Sequence, residues 1–173
     1  MDISVIKADK VTIDGGIVLG AESAPITTVE FLNLDCPYCR KWFYRSDQLL
    51  TQAVKEGRVR LIIKPLNKDK DDLQLGNLAH TYLPFDQPET AVNAIRFLYT
   101  HQPTWRLYLA PNELDLYLKQ NLKLTPQNNQ AALAVIEHEA QTANIQFVPT
   151  IILGQHIFDE SIDLSELEQL ISQ

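Results

Sequence analysis

The sequence predicts an α/β fold: a central mixed β-sheet flanked by helices, with a helical block set between two sheet-forming regions. Three observations predict it. A strand–helix–strand pattern runs from Thr27 to Lys64. Helical patterns without strands fill the middle of the chain. Two short β-rich runs joined by Gly154-Gln155 come near the end, before a last helix.

Taken in order, Val11-Thr12-Ile13 before Asp14-Gly15-Gly16 predicts a short edge strand and a turn. Thr27-Thr28-Val29-Glu30-Phe31-Leu32 is β-rich and apolar, which predicts a buried strand. From Tyr38 to about Glu56 a helix is expected, with Trp42, Leu49, Leu50 and Ala53 as its apolar stripe. Val59–Lys64 is expected as a second core strand, parallel to the first through that helix. The charge run Lys68-Asp69-Lys70-Asp71-Asp72 predicts a solvated loop. Helices follow over Asp72–Leu83, Pro88–Thr100 and Glu113–Leu122, the last with Asn112 as its cap. Thr125-Pro126 is expected to open a long helix reaching about Ala143. Gly154-Gln155 predicts a tight hairpin turn, and Ser165-Glu166-Leu167-Glu168 a capping box for the final helix.

Cys36-Pro37-Tyr38-Cys39 contains the only cysteines of the chain. Two thiols at this spacing, between a strand and a helix, point to a dithiol/disulfide redox centre. Pro37 is tolerated in the first helical turn, where a backbone N–H has no intrahelical partner. Cys36 then sits at the helix start, where free N–H groups and the positive dipole end favour a thiolate. Cysteine pKa values in such settings fall from about 8.5 to roughly 3.5–7.5. Cys39, about one turn on, is close enough to form a disulfide with Cys36 and is expected to be more buried. Zinc is the rival for a CxxC, but structural zinc usually takes four Cys/His ligands. There is no second CxxC, and His80, His101, His138 and His156 are dispersed. His80, His101 and His138 are expected at the surface or at helix ends, and His156 as structural.

Far along the chain, Phe147-Val148-Pro149-Thr150-Ile151-Ile152-Leu153 leads into a strand. A proline there is compatible with a cis bond in a tight turn or with an ordinary strand entry. Together with Ala24–Phe43, which contains the strand, Cys36-Pro37-Tyr38-Cys39 and the helix start, this turn resembles the DsbA-like thiol–disulfide oxidoreductases of the thioredoxin superfamily. The resemblance implies a thioredoxin fold with an inserted helical subdomain. Residues 1–66 and 144–173 would form the thioredoxin-like domain, and 67–143 the insert. It implies that Cys36 is the exposed attacking thiol and Cys39 the resolving one. Pro37, Tyr38, Val148, Pro149 and Thr150 would shape the substrate site, with Pro149 as a cis-proline. Glu30 matches the carboxylate that lies beneath the dithiol in this family.

Glu30 also stands out physically, six residues before Cys36 in an apolar strand. It is expected either to face solvent or to be buried with a raised pKa, where it could pass a proton during exchange. Lys64 on the neighbouring strand is its candidate partner. Asp35 would raise the Cys36 pKa if its carboxylate faced the sulfur; it is expected to face solvent. Tyr38 stands where strongly oxidising relatives carry histidine, which predicts a less oxidising couple. The aromatics Tyr82, Phe85, Phe97 and Tyr99 are expected to pack the helical block, or in part to line a groove where it meets the thioredoxin-like half.

Length predicts one domain, or one domain with an insertion, and the 45% hydrophobic content suffices for a core. A net charge of −7 with no basic cluster beyond Arg40-Lys41 argues against nucleic acid. No apolar run approaches the roughly 20 residues that span a bilayer. Met1–Lys7 lacks the apolar core of a signal peptide, so a cytoplasmic protein is expected, with export of a processed form as the alternative. The expected partners are protein or peptide thiols and disulfides, with glutathione or a thioredoxin-type protein as the redox partner. A monomer without cofactor or metal is expected. Two alternatives share the motif: a glutaredoxin-like, glutathione-dependent reductase, and a low-turnover redox-sensing or peptide-binding module. Glutaredoxins carry a Gly-Gly-rich turn after the cis-proline strand, where this chain has Gly154 alone.

Overall fold

The computed structural model describes residues 2–172. Five strands form one sheet: β1 (Ile17–Leu19), β2 (Ile26–Leu32), β3 (Val59–Pro65), β4 (Thr150–Leu153) and β5 (His156–Phe158). Their order is β1-β3-β2-β4-β5, with β2 and β3 parallel and every other pair antiparallel. Helix α1 (Pro37–Lys55) connects the parallel pair. Helices α2 (Gln74–His80), α3 (Pro88–Tyr108), α4 (Pro111–Leu122) and α5 (Gln130–Thr142) lie between β3 and β4 in the chain, and α6 (Leu164–Leu170) follows β5.

Strand alternation divides the core in two. Leu32, Leu61, Ile63, Ile151 and Leu153 pack with α1, α3 and α6; Val29, Phe31, Ile62 and Ile152 pack with α5. Glu30 pairs with Ile63 and Ile151, so it faces α1. Lys64 pairs with Phe31 and points to the opposite face. There it meets Glu139 of α5 at 2.6 Å, with 0% and 8% of the two side chains exposed. The expected Glu30–Lys64 partnership is therefore corrected: the register puts the two on opposite sides of the sheet.

The expected edge strand at Val11–Ile13 does not form. The Thr12 backbone N–H donates to Glu139, and its carbonyl accepts from Lys64 Nζ at 2.9 Å, so side chains take the groups a ladder would use. The edge strand is β1, beyond the turn at Gly15-Gly16. Gly16 adopts φ +76°, and a Cβ there would lie 2.6 Å from the Ile63 carbonyl oxygen.

Helix boundaries differ from expectation for identifiable reasons. Residues 71–73 form a 3-10 turn, and α2 stops at His80, with the chain turning before Pro84. Helix α3 does not end at Thr100 but continues through Pro103. Pro103 cannot donate to the Tyr99 carbonyl, and Arg40 Nε of α1 donates to that carbonyl instead, at 2.9 Å. Helix α4 starts at Pro111, and Glu113 accepts from the Ala110 N–H at 2.7 Å, so Asn112 is not the cap. Helix α5 starts at Gln130 because the preceding segment is tied to the end of α2. Gln127 N–H donates to the Thr81 carbonyl, and Asn129 Nδ2 to those of His80 and Leu83. Asp163, not Ser165, caps α6, accepting from the Ser165 N–H at 2.9 Å. The hairpin turn at Gly154-Gln155 lies where expected. No helix among the described residues is long and apolar enough to cross a membrane.

Candidate dithiol site

The site is built at the junction of β2 and α1. Cys36 is the N-cap of α1 with extended backbone (φ −73°, ψ 120°), and Pro37 takes the first helical position. Both cysteines are free thiols in the structure. The Cys36 thiol is held at about 7, below its ordinary value. The largest cause is its hydrogen bond with the Cys39 side chain; the N–H groups of Cys39 and Tyr38 add to it, against burial and Glu160. Cys39 is fully buried, and burial pushes its thiol well above the ordinary range. The two sulfurs are thus electronically unequal, one poised to ionise near neutral pH and one held protonated.

Cys36 is not exposed as expected: only 5% of it is accessible. Its Sγ lies 3.4 Å from the Val148 carbonyl, which accepts from the thiol. The Val148–Pro149 peptide bond is cis. Thr150 starts β4, and its hydroxyl donates to the Phe147 carbonyl at 2.8 Å. Pro37 and Tyr38 lie on the open side; Tyr38 and Phe147 are exposed aromatics. The structure thus brings Cys36, Cys39 and Val148 into direct contact.

Glu30 is buried behind α1, and burial raises its carboxyl to about 8; the Trp42 indole opposes that rise and Asp47 adds to it. Neither Oε1 of Glu30 nor Nε1 of Trp42 has a hydrogen-bond partner of ordinary geometry among the described residues. Glu30 lines a cavity of about 150 Å³ with Phe43, Ser46, Leu50, Val92 and Arg96. Space of that size accommodates water. At neutral pH Glu30 is a neutral acid, able to give up a proton.

Asp35 is not solvent-facing. It is buried, Arg106 Nε lies 2.9 Å from its carboxylate, and burial raises it to about 6 against the pull of Arg106. Among the described residues, no group of three or more His, Cys, Asp or Glu side chains is arranged to hold a metal ion.

A thioredoxin family model matches residues 12–173. The chain belongs to the thioredoxin family. It is 24% identical over 175 residues to disulfide bond formation protein D of Bacillus subtilis, covering 94% of this chain and 78% of that protein. A conserved protein of unknown function from Enterococcus faecalis has a solved structure that superposes with a TM-score of 0.96 at 44% identity, over 100% of this chain and 98% of the other. The catalytic domain of Proteus mirabilis ScsC superposes with a TM-score of 0.69 at 21% identity, over 95% and 92% of the two chains.

What sequence reasoning missed in this thioredoxin-family chain is how α2 and α3 hold the loop before the cysteines. His80 ends α2, as expected, but is fully buried. Its Nε2 accepts from the Leu34 N–H at 3.2 Å, its Nδ1 faces Asn67 Oδ1 at 2.7 Å, and burial depresses it to about 3, so it stays neutral. Gln102 Nε2 donates to the Leu34 and Cys36 carbonyls at 2.6 and 3.2 Å, and Arg106 Nε to that of Asp35 at 2.9 Å. Asn33 Oδ1 accepts from the Asp35 N–H at 2.9 Å, while Asn33 N–H donates to Cys39 Sγ at 3.4 Å. Gly76 lets α2 approach this loop: a Cβ there would fall 2.0 Å from Asn33 Oδ1. Spacings of 43 to 71 residues separate the loop from its partners on α2 and α3, and no local pattern marks them. The only available signal was Gly76 within a helical pattern.

Proposed function

We propose that this chain is a DsbA-like thiol–disulfide oxidoreductase acting on protein substrates, with Cys36 as the attacking thiol and Cys39 as the resolving thiol. The observation that carries this reading is the unequal pair: Cys36 held at about 7 on the N-terminus of α1, beside a Cys39 kept protonated by burial. An attacking thiol works best with a pKa near ambient pH. The name of the Bacillus subtilis relative is consistent with such chemistry.

In the reducing direction the Cys36 thiolate attacks a substrate disulfide. A mixed disulfide forms and one substrate thiolate leaves. Cys39 loses its proton, attacks Cys36 Sγ, and expels the second substrate thiolate. In the oxidising direction a substrate thiolate attacks Cys36 Sγ of the Cys36–Cys39 disulfide, and the bond's electron pair leaves with Cys39. Glu30 supplies the Cys39 proton in this direction and accepts it in the other, the cavity behind α1 giving it access to solvent. Val148 and Pro149 present main chain to an extended peptide as an added strand, with Thr150 anchoring the turn. Pro37, Tyr38 and Phe147 supply apolar contact on the open side. A Cys36 thiol at about 7 rather than 3.5 supports a couple less oxidising than the strongest oxidants of this type. The relative's name supports export over the cytoplasmic location expected from the N-terminus.

Turnover of insulin or of a reduced, unfolded substrate tests the reading. Cys36→Ser is expected to abolish exchange, and Cys39→Ala to trap covalent mixed disulfides with substrate. Full activity in Cys36→Ser, or the absence of multiple turnover in the unaltered protein, overturns it. The latter result would favour a sensing or peptide-binding module.

A further inference from the structure

Residue Tyr99 belongs to α3, 60 residues from Cys39, yet it is built into the redox centre. Arg40, the residue after Cys39, donates to the Tyr99 carbonyl that Pro103 leaves free, at 2.9 Å. Phe43, one helical turn after Cys39 on the same face of α1, packs its ring 5.1 Å from that of Tyr99. The Tyr99 hydroxyl donates to the Asn33 carbonyl at 3.3 Å, and the Asn33 N–H donates to Cys39 Sγ at 3.4 Å. The phenol and the Cys39 sulfur, both fully buried, therefore meet at one residue's main chain.

We propose that the Tyr99 hydroxyl is the hydrogen-bond donor that stabilises negative charge on Cys39 Sγ as the Cys36–Cys39 bond breaks or forms. This inference rests on the exchange reading given above and assigns it a further residue. When a substrate thiolate attacks Cys36 Sγ, the Cys36–Cys39 bond breaks and its electron pair remains on Cys39. The hydroxyl swings from the Asn33 carbonyl to that thiolate, and its proton stays on oxygen. Together with the Asn33 N–H this makes two donors on a sulfur that no solvent reaches. In the reverse direction the same bond raises the fraction of Cys39 present as thiolate before it attacks Cys36 Sγ. Burial holds the phenol well above its ordinary pKa, so Tyr99 donates without ionising. Cys36 and Glu160 disfavour the Cys39 thiolate, and Cys39, Cys36 and Glu30 bear on the Tyr99 phenol.

The test separates the two chemical steps. Reduced protein is mixed with a disulfide-bonded peptide, and Trp42 fluorescence and acid-quenched intermediates follow Cys36 attack and then Cys39 resolution. In Tyr99→Phe, resolution is expected to slow at least about ten-fold, the loss expected for one hydrogen bond to a charged group. Its pH midpoint is expected to rise, while Cys36 attack keeps its rate and pH dependence. Unchanged resolution, or equal slowing of both steps, overturns the proposal. If Tyr99→Phe does not fold, 3-fluorotyrosine at position 99 keeps the ring and strengthens the donor. Resolution must then become faster with a lower pH midpoint, and an unchanged rate overturns the proposal. Failure of Cys36 to form a mixed disulfide in the unaltered protein would instead sink the exchange reading itself.

Discussion

The two faces of the sheet each bury a glutamate, and they handle it in opposite ways. On the α5 face, Glu139 meets Lys64 at 2.6 Å, and together they clamp Thr12 by both its N–H and its carbonyl. On the α1 face, Glu30 makes no ion pair among the described residues, faces an indole and a cavity, and keeps its proton to about pH 8. The difference is chemical. A paired carboxylate is an ionic anchor for the N-terminal segment. An unpaired one is a neutral acid that exchanges a proton at physiological pH, and it lies on the same face as the dithiol.

The contrast can be broken at either glutamate. Lys64→Met leaves Glu139 buried without its cation, and a loss of about 3–5 kcal/mol is expected in urea unfolding at pH 7. A loss no larger than that of a surface change, about 0.5 kcal/mol, would remove the anchor from the account.

Glu30→Gln is expected to act through pH. The folded carboxyl titrates at about 8 against an ordinary 4.5, so the native state holds a proton that the unfolded chain releases. Stability therefore falls as pH rises from about 4.5 to about 8, by on the order of 3 kcal/mol at pH 7. Glu30→Gln should flatten that part of the pH–stability curve, and should also slow the proton-coupled step at Cys39. Denaturant titrations from pH 4 to 9 read the first effect; an identical curve for the variant would place Glu30 in water rather than in the core. His80 gives the opposite arm. Depressed to about 3, it draws no proton in the native state, so stability falls as pH drops below about 6.5.

Lys64→Met combined with Glu139→Leu removes both charges together, and such replacements are often neutral or stabilising. The pair is expected to recover most of the loss of Lys64→Met, within about 1 kcal/mol of the unaltered protein, with disulfide exchange unchanged. A fall in exchange rate would mean that the α5 face reaches the dithiol after all.

Local patterns made much of this architecture legible. The strand at β2, the helix starting at Pro37, the parallel β3 and the hairpin at Gly154-Gln155 all follow from periodicity and turn chemistry. So does the close approach of Cys36 and Cys39, because two cysteines three apart at a helix start face the same turn. Helix ends were less legible. Pro103 should stop a helix, but Arg40 satisfies the carbonyl it orphans; Asn129 should lie inside a helix, but α2 captures its side chain. In each case a distant partner outweighed a local preference worth at most a few kcal/mol.

The sequence carried the local chemistry: two thiols spaced to form a disulfide, a helix start at Cys36, and a glutamate in an apolar strand. These are properties of residues a few positions apart. The tertiary structure decided the environment. Register sent Lys64 away from Glu30, burial turned Asp35 and His80 inward, and α3 carried Tyr99 to the Asn33 main chain that holds Cys39. Burial and pairing depend on what packs against a side chain from tens of residues away, and desolvation sets pKa only once that packing exists.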